Sequence, residues 1–183
     1  MKHIPHRAHR IAGVALGLLL AARLMADAPP PLNEHLEPFR PLLGKTWRGE
    51  FSNSTPEKPV VDIARWERAL NGQAVRILHS INHGEYGGET LIYWDSEKKS
   101  LMYQYFTTAG FQTSGTMTLD GRKFTSHEKV TGNARGITEV RATGEIREDG
   151  TLANRSEYLK NGQWEAGHSA VYREDPKAEV VFK

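Results

Sequence analysis

Cysteine is absent from the 183 residues. That excludes a disulfide framework, a thiolate metal site, a thiol nucleophile and a lipidated N-terminal cysteine, so stability has to come from packing and backbone ladders. A bilayer-length apolar run is missing too, because Ile11 to Ala22 falls short of the roughly 20 residues that span a membrane. There is no real excess of one charge. The formal +2 arises at the N-terminus, where Lys2, Arg7, Arg10 and Arg23 precede Pro29 against Asp27 alone. With four of the 24 basic and one of the 22 acidic residues set aside, the remainder is one unit negative, which gives no overall attraction for nucleic acid or anionic lipid. Catalytic signatures are also lacking: no nucleophile elbow or oxyanion-hole glycine motif occurs, so no residue is assigned a catalytic role.

What is present begins with a leader. Lys2 to Arg10 is basic and includes His3, His6 and His9, Ile11 to Ala22 is apolar, and Ala26-Asp27-Ala28 supplies small residues in an A-x-A arrangement. These are the three regions of a secretory signal peptide. Residues 1–28 are therefore expected to be removed, leaving an exported protein, periplasmic or secreted, with no stable membrane insertion. Pro29-Pro30-Pro31 hinders cleavage directly after Ala28, which leaves a cut after Ala26 as the alternative. Residues 29–43 read as a linker and a short capping helix, with apolar Leu32, Leu36, Phe39, Leu42 and Leu43 spaced by three to four. Pro38 and Pro41 keep it short or broken.

Residues 44–183 read as strands. Gly44-Lys45-Thr46-Trp47-Arg48-Gly49-Glu50-Phe51 opens the series with Trp47 and Phe51 inward. Ser52 to Pro59 is a loop, and Val60 to Leu70 alternates with Asp62, Ala64, Trp66 and Arg68 on one side. Asn71-Gly72 predicts a type I′ hairpin into Gln73 to Asn82, where Val75, Ile77, His79 and Ile81 share a face. His83 to Gly88, with three glycines, reads as a turn. Glu89 to Asp95, Leu101 to Thr107, Phe111 to Leu119 and Lys123 to Val130 follow, the last two joined by Asp120-Gly121. Then come Ile137 to Arg147, with Val140, Ala142, Gly144 and Ile146 as a small-residue face, Leu152 to Leu159, and Trp164 to Arg173. Asp149-Gly150 and Asn161-Gly162 are their turns, and Val180 to Phe182 reads as a further short strand. This pattern predicts an all-β fold, a single up-and-down antiparallel β-barrel of about ten strands. Closure removes the two edges an open sheet would expose, and a β-sandwich would need longer crossovers than occur here.

On these residues the chain resembles the calycin superfamily of small ligand-binding barrels, the lipocalin and fatty-acid-binding-protein type, and within it the bacterial domain family DUF1579. The resemblance spans Leu32 to Arg173 and rests on Leu43-Gly44-Lys45-Thr46-Trp47-Arg48-Gly49 after the helix, the ordered hairpins and the final Tyr172-Arg173. Lipocalins usually have one residue between that Gly and Trp, where this chain has two. A weaker similarity is to nitrobindin-like haem barrels, whose iron ligand is a histidine near the final strand; His168 in Gly167-His168-Ser169-Ala170-Val171-Tyr172 is the candidate for that position.

Trp66, His79, Tyr103, Tyr105, Trp164 and His168 are the candidate ligand-binding residues, since small-molecule pockets combine aromatic walls with a few polar groups. Phe111 could join them, Trp47 is read as a seal at one end, and all of these aromatics could instead fill a narrow barrel as core. His168 shares its strand alternation with Trp164, Ala170 and Tyr172. His79 and His83 stand four apart, and zinc would need His127 as a third ligand. Ser80, His79 and Asp62 can be drawn as a triad, and Glu85, Glu89 and Asp95 as an acidic group, with no positional support for either. The resulting expectation is an exported barrel holding a small apolar or amphipathic molecule, without a cofactor. The alternatives are a haem barrel with His168 on the iron, the sole metal ligand under that reading, and a barrel enzyme acting on a small lumenal substrate.

Overall fold

The computed structural model describes residues 30–132 and 134–183. The expected leader, residues 1–28, lies outside the described residues. Among the described residues no helix is long and apolar enough to cross a membrane.

Ten antiparallel strands close into a barrel in which each strand pairs with its neighbours in sequence and the last pairs with the first. They are β1 Lys45–Phe51, β2 Val61–Ala69, β3 Ala74–Ile81, β4 Tyr86–Asp95, β5 Ser100–Thr107, β6 Gln112–Asp120, β7 Lys123–Thr131, β8 Ile137–Ile146, β9 Leu152–Lys160 and β10 Gln163–Glu174. The closing ladder runs from Trp47 opposite Glu174 to Phe51 opposite Ala170. No edge is left for another chain to pair with, which is what an up-and-down meander gains by closing.

A 3-10 helix, Glu34–Leu42, plugs one end. Its geometry follows from its apolar spacing. A 3-10 helix has about three residues per turn, so residues three apart eclipse; Leu36, Phe39 and Leu42 therefore form one row, and all three are fully buried. Pro38 and Pro41 lie off that row. Asn33 caps the first turn, its side-chain oxygen accepting from the His35 amide at 3.1 Å. The Asn33 N–H donates to the Gly72 carbonyl at 2.9 Å, which ties the helix to the β2–β3 connection. Phe39 packs against Trp66 and meets Phe124 edge-on, with centroids 5.9 and 5.7 Å apart. Trp47 is buried beneath the plug, and its indole N–H donates to the Leu42 carbonyl at 3.3 Å. Together with Val75, Ile92, Leu101, Met117 and Leu152, these side chains fill this half of the barrel as a core.

Four local expectations are corrected. Asn71-Gly72 is not a two-residue hairpin: Leu70, Asn71 and Gly72 all take positive φ, and the ladder resumes only at Ala69 opposite Ala74. Gly87 and Gly88 belong to β4 rather than to a turn. A Cβ on Gly88 would fall 2.4 Å from the Tyr105 ring and 2.2 Å from the Phe106 carbonyl, so this glycine makes room inside for Tyr105. Val180 to Phe182 is not a strand; the Val181 N–H donates to the Ser80 hydroxyl at 3.0 Å, and a side-chain acceptor does not extend a ladder. The last correction concerns β10, where the register slips between Ala166 and Ser169. Three steps on β10 oppose two on β9, and the additional residue reverses the in–out alternation.

Candidate functional site

Beyond Trp66 and Leu152 the barrel is hollow. The cavity measures about 390 Å³, within the range of small-molecule sites. Each strand sends alternate side chains into it, as the period of two requires. Ile77, Ile81, Phe111, Val130, Ile137 and Val140 make apolar wall, and Trp66 and Leu152 lie on the plugged side. The charged or titratable groups in the lining are Asp62, His79, Glu128, His168 and five tyrosines; no lysine or arginine is among them.

Three polar clusters stand on this wall. The first runs across β2, β3, β4, β5 and β10. Tyr172 donates to Asp62 Oδ2 at 2.7 Å, Asp62 Oδ1 lies 2.9 Å from His79 Nδ1, and His79 Nε2 lies 2.7 Å from the Tyr105 hydroxyl, which is 2.8 Å from that of Tyr86. A carboxylate can only accept, so Nδ1 carries a proton toward Asp62. Burial pushes the Tyr105, Tyr86 and Tyr172 phenols above their ordinary range, which keeps them neutral and able to donate.

The second cluster surrounds His168 at the β10 bulge. Its ring stacks on Phe51 with centroids 4.6 Å apart. Its Nδ1 is hydrogen-bonded to the Tyr158 hydroxyl and lies 3.2 Å from Ser156 Oγ, while its backbone N–H donates to the same Oγ at 3.1 Å. Nε2 takes no hydrogen-bond partner among the described residues. Burial holds this imidazole below its ordinary value, with the nearby Asp62 charge opposing, so it is neutral at neutral pH. Gly167 makes the bulge possible, because a Cβ there would fall 2.4 Å from Ser156 Oγ and 2.8 Å from the Tyr158 ring.

Glu128 forms the third cluster. It is 4 % exposed, and its two oxygens accept from Thr113 Oγ1 and Ser126 Oγ, each at 2.6 Å. Burial raises its pKa, outweighing the two hydroxyl donors. A carboxyl that is easier to protonate folded than unfolded stabilises the fold fully below its unfolded value of 4.5, and loses that contribution as pH rises through the folded value. Glu128→Gln is therefore expected to gain stability over the native protein between about pH 4 and pH 8, since the amide has no charge to desolvate. Urea unfolding at both pH values checks this, and a stability difference that does not grow with pH contradicts it.

Of the residues predicted from sequence, Trp66, His79, Tyr103, Tyr105 and His168 line the lumen, and so does Phe111. Trp164 does not. It lies on the outer surface, 36 % exposed, with the Arg141 guanidinium 4.2 Å over its ring. The alternation that grouped it with His168 is reversed by the intervening bulge. Asp62 and His79 do pair, supplying the acid/base couple that a lumenal enzyme would need. Ser80, one residue on, points outward under the C-terminal tail, so the drawn triad does not assemble. His83 is exposed in the β3–β4 turn, and His127 lies on the outside 2.6 Å from Glu139, so neither joins His79. Among the described residues no group of three metal-ligating side chains occurs. Glu85, Glu89 and Asp95 are not part of the lumen lining.

Missed by sequence reasoning were Glu128, Tyr86, Tyr158 and Asn154. Glu128 had a readable signal, since Phe124, Ser126, Glu128 and Val130 share one strand face. Asn154 lines the lumen with its side-chain oxygen buried and without a hydrogen-bond partner. An acceptor so placed is destabilising until something donates to it.

Fold and cavity together define a closed ten-stranded antiparallel barrel, filled in one half and hollow in the other. A solved structure of similar fold is that of Rv2717c from M. tuberculosis, at a TM-score of 0.56 and 15 % sequence identity, the alignment covering 79 % of this chain and 99 % of that one. At that identity the likeness shows the fold alone. No family model matches the chain, and no curated protein matches it by sequence. The resemblance to calycins and to DUF1579 accordingly rests on the residues quoted for it.

Proposed function

We propose that this barrel binds a small, largely apolar molecule in its lumen, exported to the compartment its leader addresses. The observation that carries this reading is the division of the interior: side chains pack one half to a core, while the other half keeps a cavity of about 390 Å³ with fixed polar groups on an apolar wall. Cavities without such groups are also found in proteins as packing defects. Here three separately anchored polar clusters face the space, and they order it more than a packing defect requires. Titration with N-phenyl-1-naphthylamine, a neutral apolar fluorophore, tests the reading. A saturable blue-shifted signal at one probe per chain is expected, and a linear, non-saturating signal rejects it.

A second reading, a haem barrel, is favoured by one observation at His168. The ring is fixed through Nδ1, it is neutral, and Nε2 is left without a partner, which is how an imidazole iron ligand is prepared. Haem bound there would supply an iron centre with its axial chemistry. The lumen itself offers no lysine or arginine for the propionates. Under this reading haemin titration yields a Soret band that His168→Ala removes; an absent band, or one unchanged by the substitution, rejects it.

A further inference from the structure

Glu128 has no ion-pair partner in the lumen, and His127, whose charge would act on it, lies on the outer face against Glu139. The partners of Glu128 are two hydroxyls, and among the described residues no lysine, arginine or histidine forms an ion pair with it. Asp62, the other lumenal carboxyl, has His79 beside it as well as the Tyr172 hydroxyl. A buried carboxylate without a cation is unfavourable unless one is supplied or the group protonates. The surroundings of Glu128 fit a supplied cation. Each carboxylate oxygen has lone-pair capacity beyond the one hydroxyl it already accepts from. Tyr103 and Tyr158 stand level with Glu128, each two strands away across Gly115 and Val140, and line the same cavity. An ammonium carries up to three donors.

The lining also argues against the opposite charge. A ligand carboxylate, sulfate or phosphate placed in the lumen would find no lysine or arginine and would face Asp62 and Glu128. From this balance we infer that the lumenal ligand is an amphiphilic amine, its apolar body against the aliphatic and aromatic wall and its protonated nitrogen paired with Glu128. The inference rests on the lumen-binding reading and narrows it to a chemical class.

Displacement of N-phenyl-1-naphthylamine by decylamine, decanol and decanoate near neutral pH separates the possibilities, because the three share one chain and differ in head group. Decylamine is expected to displace the probe at about ten-fold lower concentration than decanol, with decanoate weakest. In Glu128→Gln the advantage of the amine over the alcohol should be lost while the alcohol still displaces the probe, a pattern that a misfolded variant cannot produce. Equal displacement by amine and alcohol in the native protein overturns the inference and leaves lumen binding standing. An amine preference that survives in Glu128→Gln overturns the assignment to Glu128. If neither the probe nor any of the three binds, the lumen reading itself fails.

Discussion

Phe39→Ala is expected to destabilise the protein by about 3–5 kcal/mol, the range for removing a fully buried phenylalanine. Phe39 is 0 % exposed and touches both Trp66 and Phe124, so its removal leaves a void beneath rings that cannot all collapse into it. The loss should be at the upper end because the helix carrying Phe39 has little stability of its own. Pro38 and Pro41 sit inside it and donate no backbone hydrogen bond, and nine residues of 3-10 geometry exceed the usual length. The helix is held by the row Leu36, Phe39 and Leu42 rather than the row by the helix. Pro38→Ala, on the exposed side, is the matched control, with an expected loss of under about 1 kcal/mol through the unfolded chain. Urea unfolding of both variants checks the contrast. A loss at Phe39 no larger than at Pro38 would show that the plug is not part of the core.

Ala142→Trp is expected to weaken N-phenyl-1-naphthylamine binding by at least about 100-fold, or ~2.8 kcal/mol, without a comparable loss of stability. Ala142 faces the lumen from β8, level with Ser126 on β7 and Ser156 on β9. An indole there projects into empty space rather than into packed side chains, so it occupies the ligand's volume with little of the strain that enlarging a filled core brings. Ala142→Leu should fall between the two. Fluorescence titration beside a melting curve separates occlusion from unfolding. Full affinity in the tryptophan variant would place the probe outside the barrel.

How much of this was legible in the sequence depended on whether alternation ran unbroken. Along β2 and β3 it does, and spacing alone set Asp62 with Trp66 on one side of β2 and His79 with Ile77 and Ile81 on one face of β3. On β10 the bulge at Gly167 and His168 inserts one residue, so Trp164 and His168, an even number apart, face opposite ways. The signal for that bulge was the glycine beside the histidine, but a glycine in a strand also serves where a neighbour needs room, as Gly88 does for Tyr105. The pair Gly87-Gly88 looked like a turn for the same reason. Glu128 stands beside His127 and Lys129 in the sequence, and the signal that it faces inward is its companions at every second position, Phe124, Ser126 and Val130. The hydrogen-bond chain from Tyr172 to Tyr86 draws on five strands, and only the closed topology brings those residues together. In the helix, apolar spacing of three to four and the two prolines marked a short or broken helix, and the spacing left open whether its geometry was 3-10 or α.

The claim on which the rest depends is that the hollow half of the barrel is a binding site. Crystals soaked with 1-bromonaphthalene locate the ligand directly through the anomalous signal of bromine. A bromine peak is expected inside the barrel, in contact with the wall formed by Tyr103, Tyr105 and Ala142. A peak confined to the outer surface, or a lumen found filled by the protein's own side chains, would contradict it.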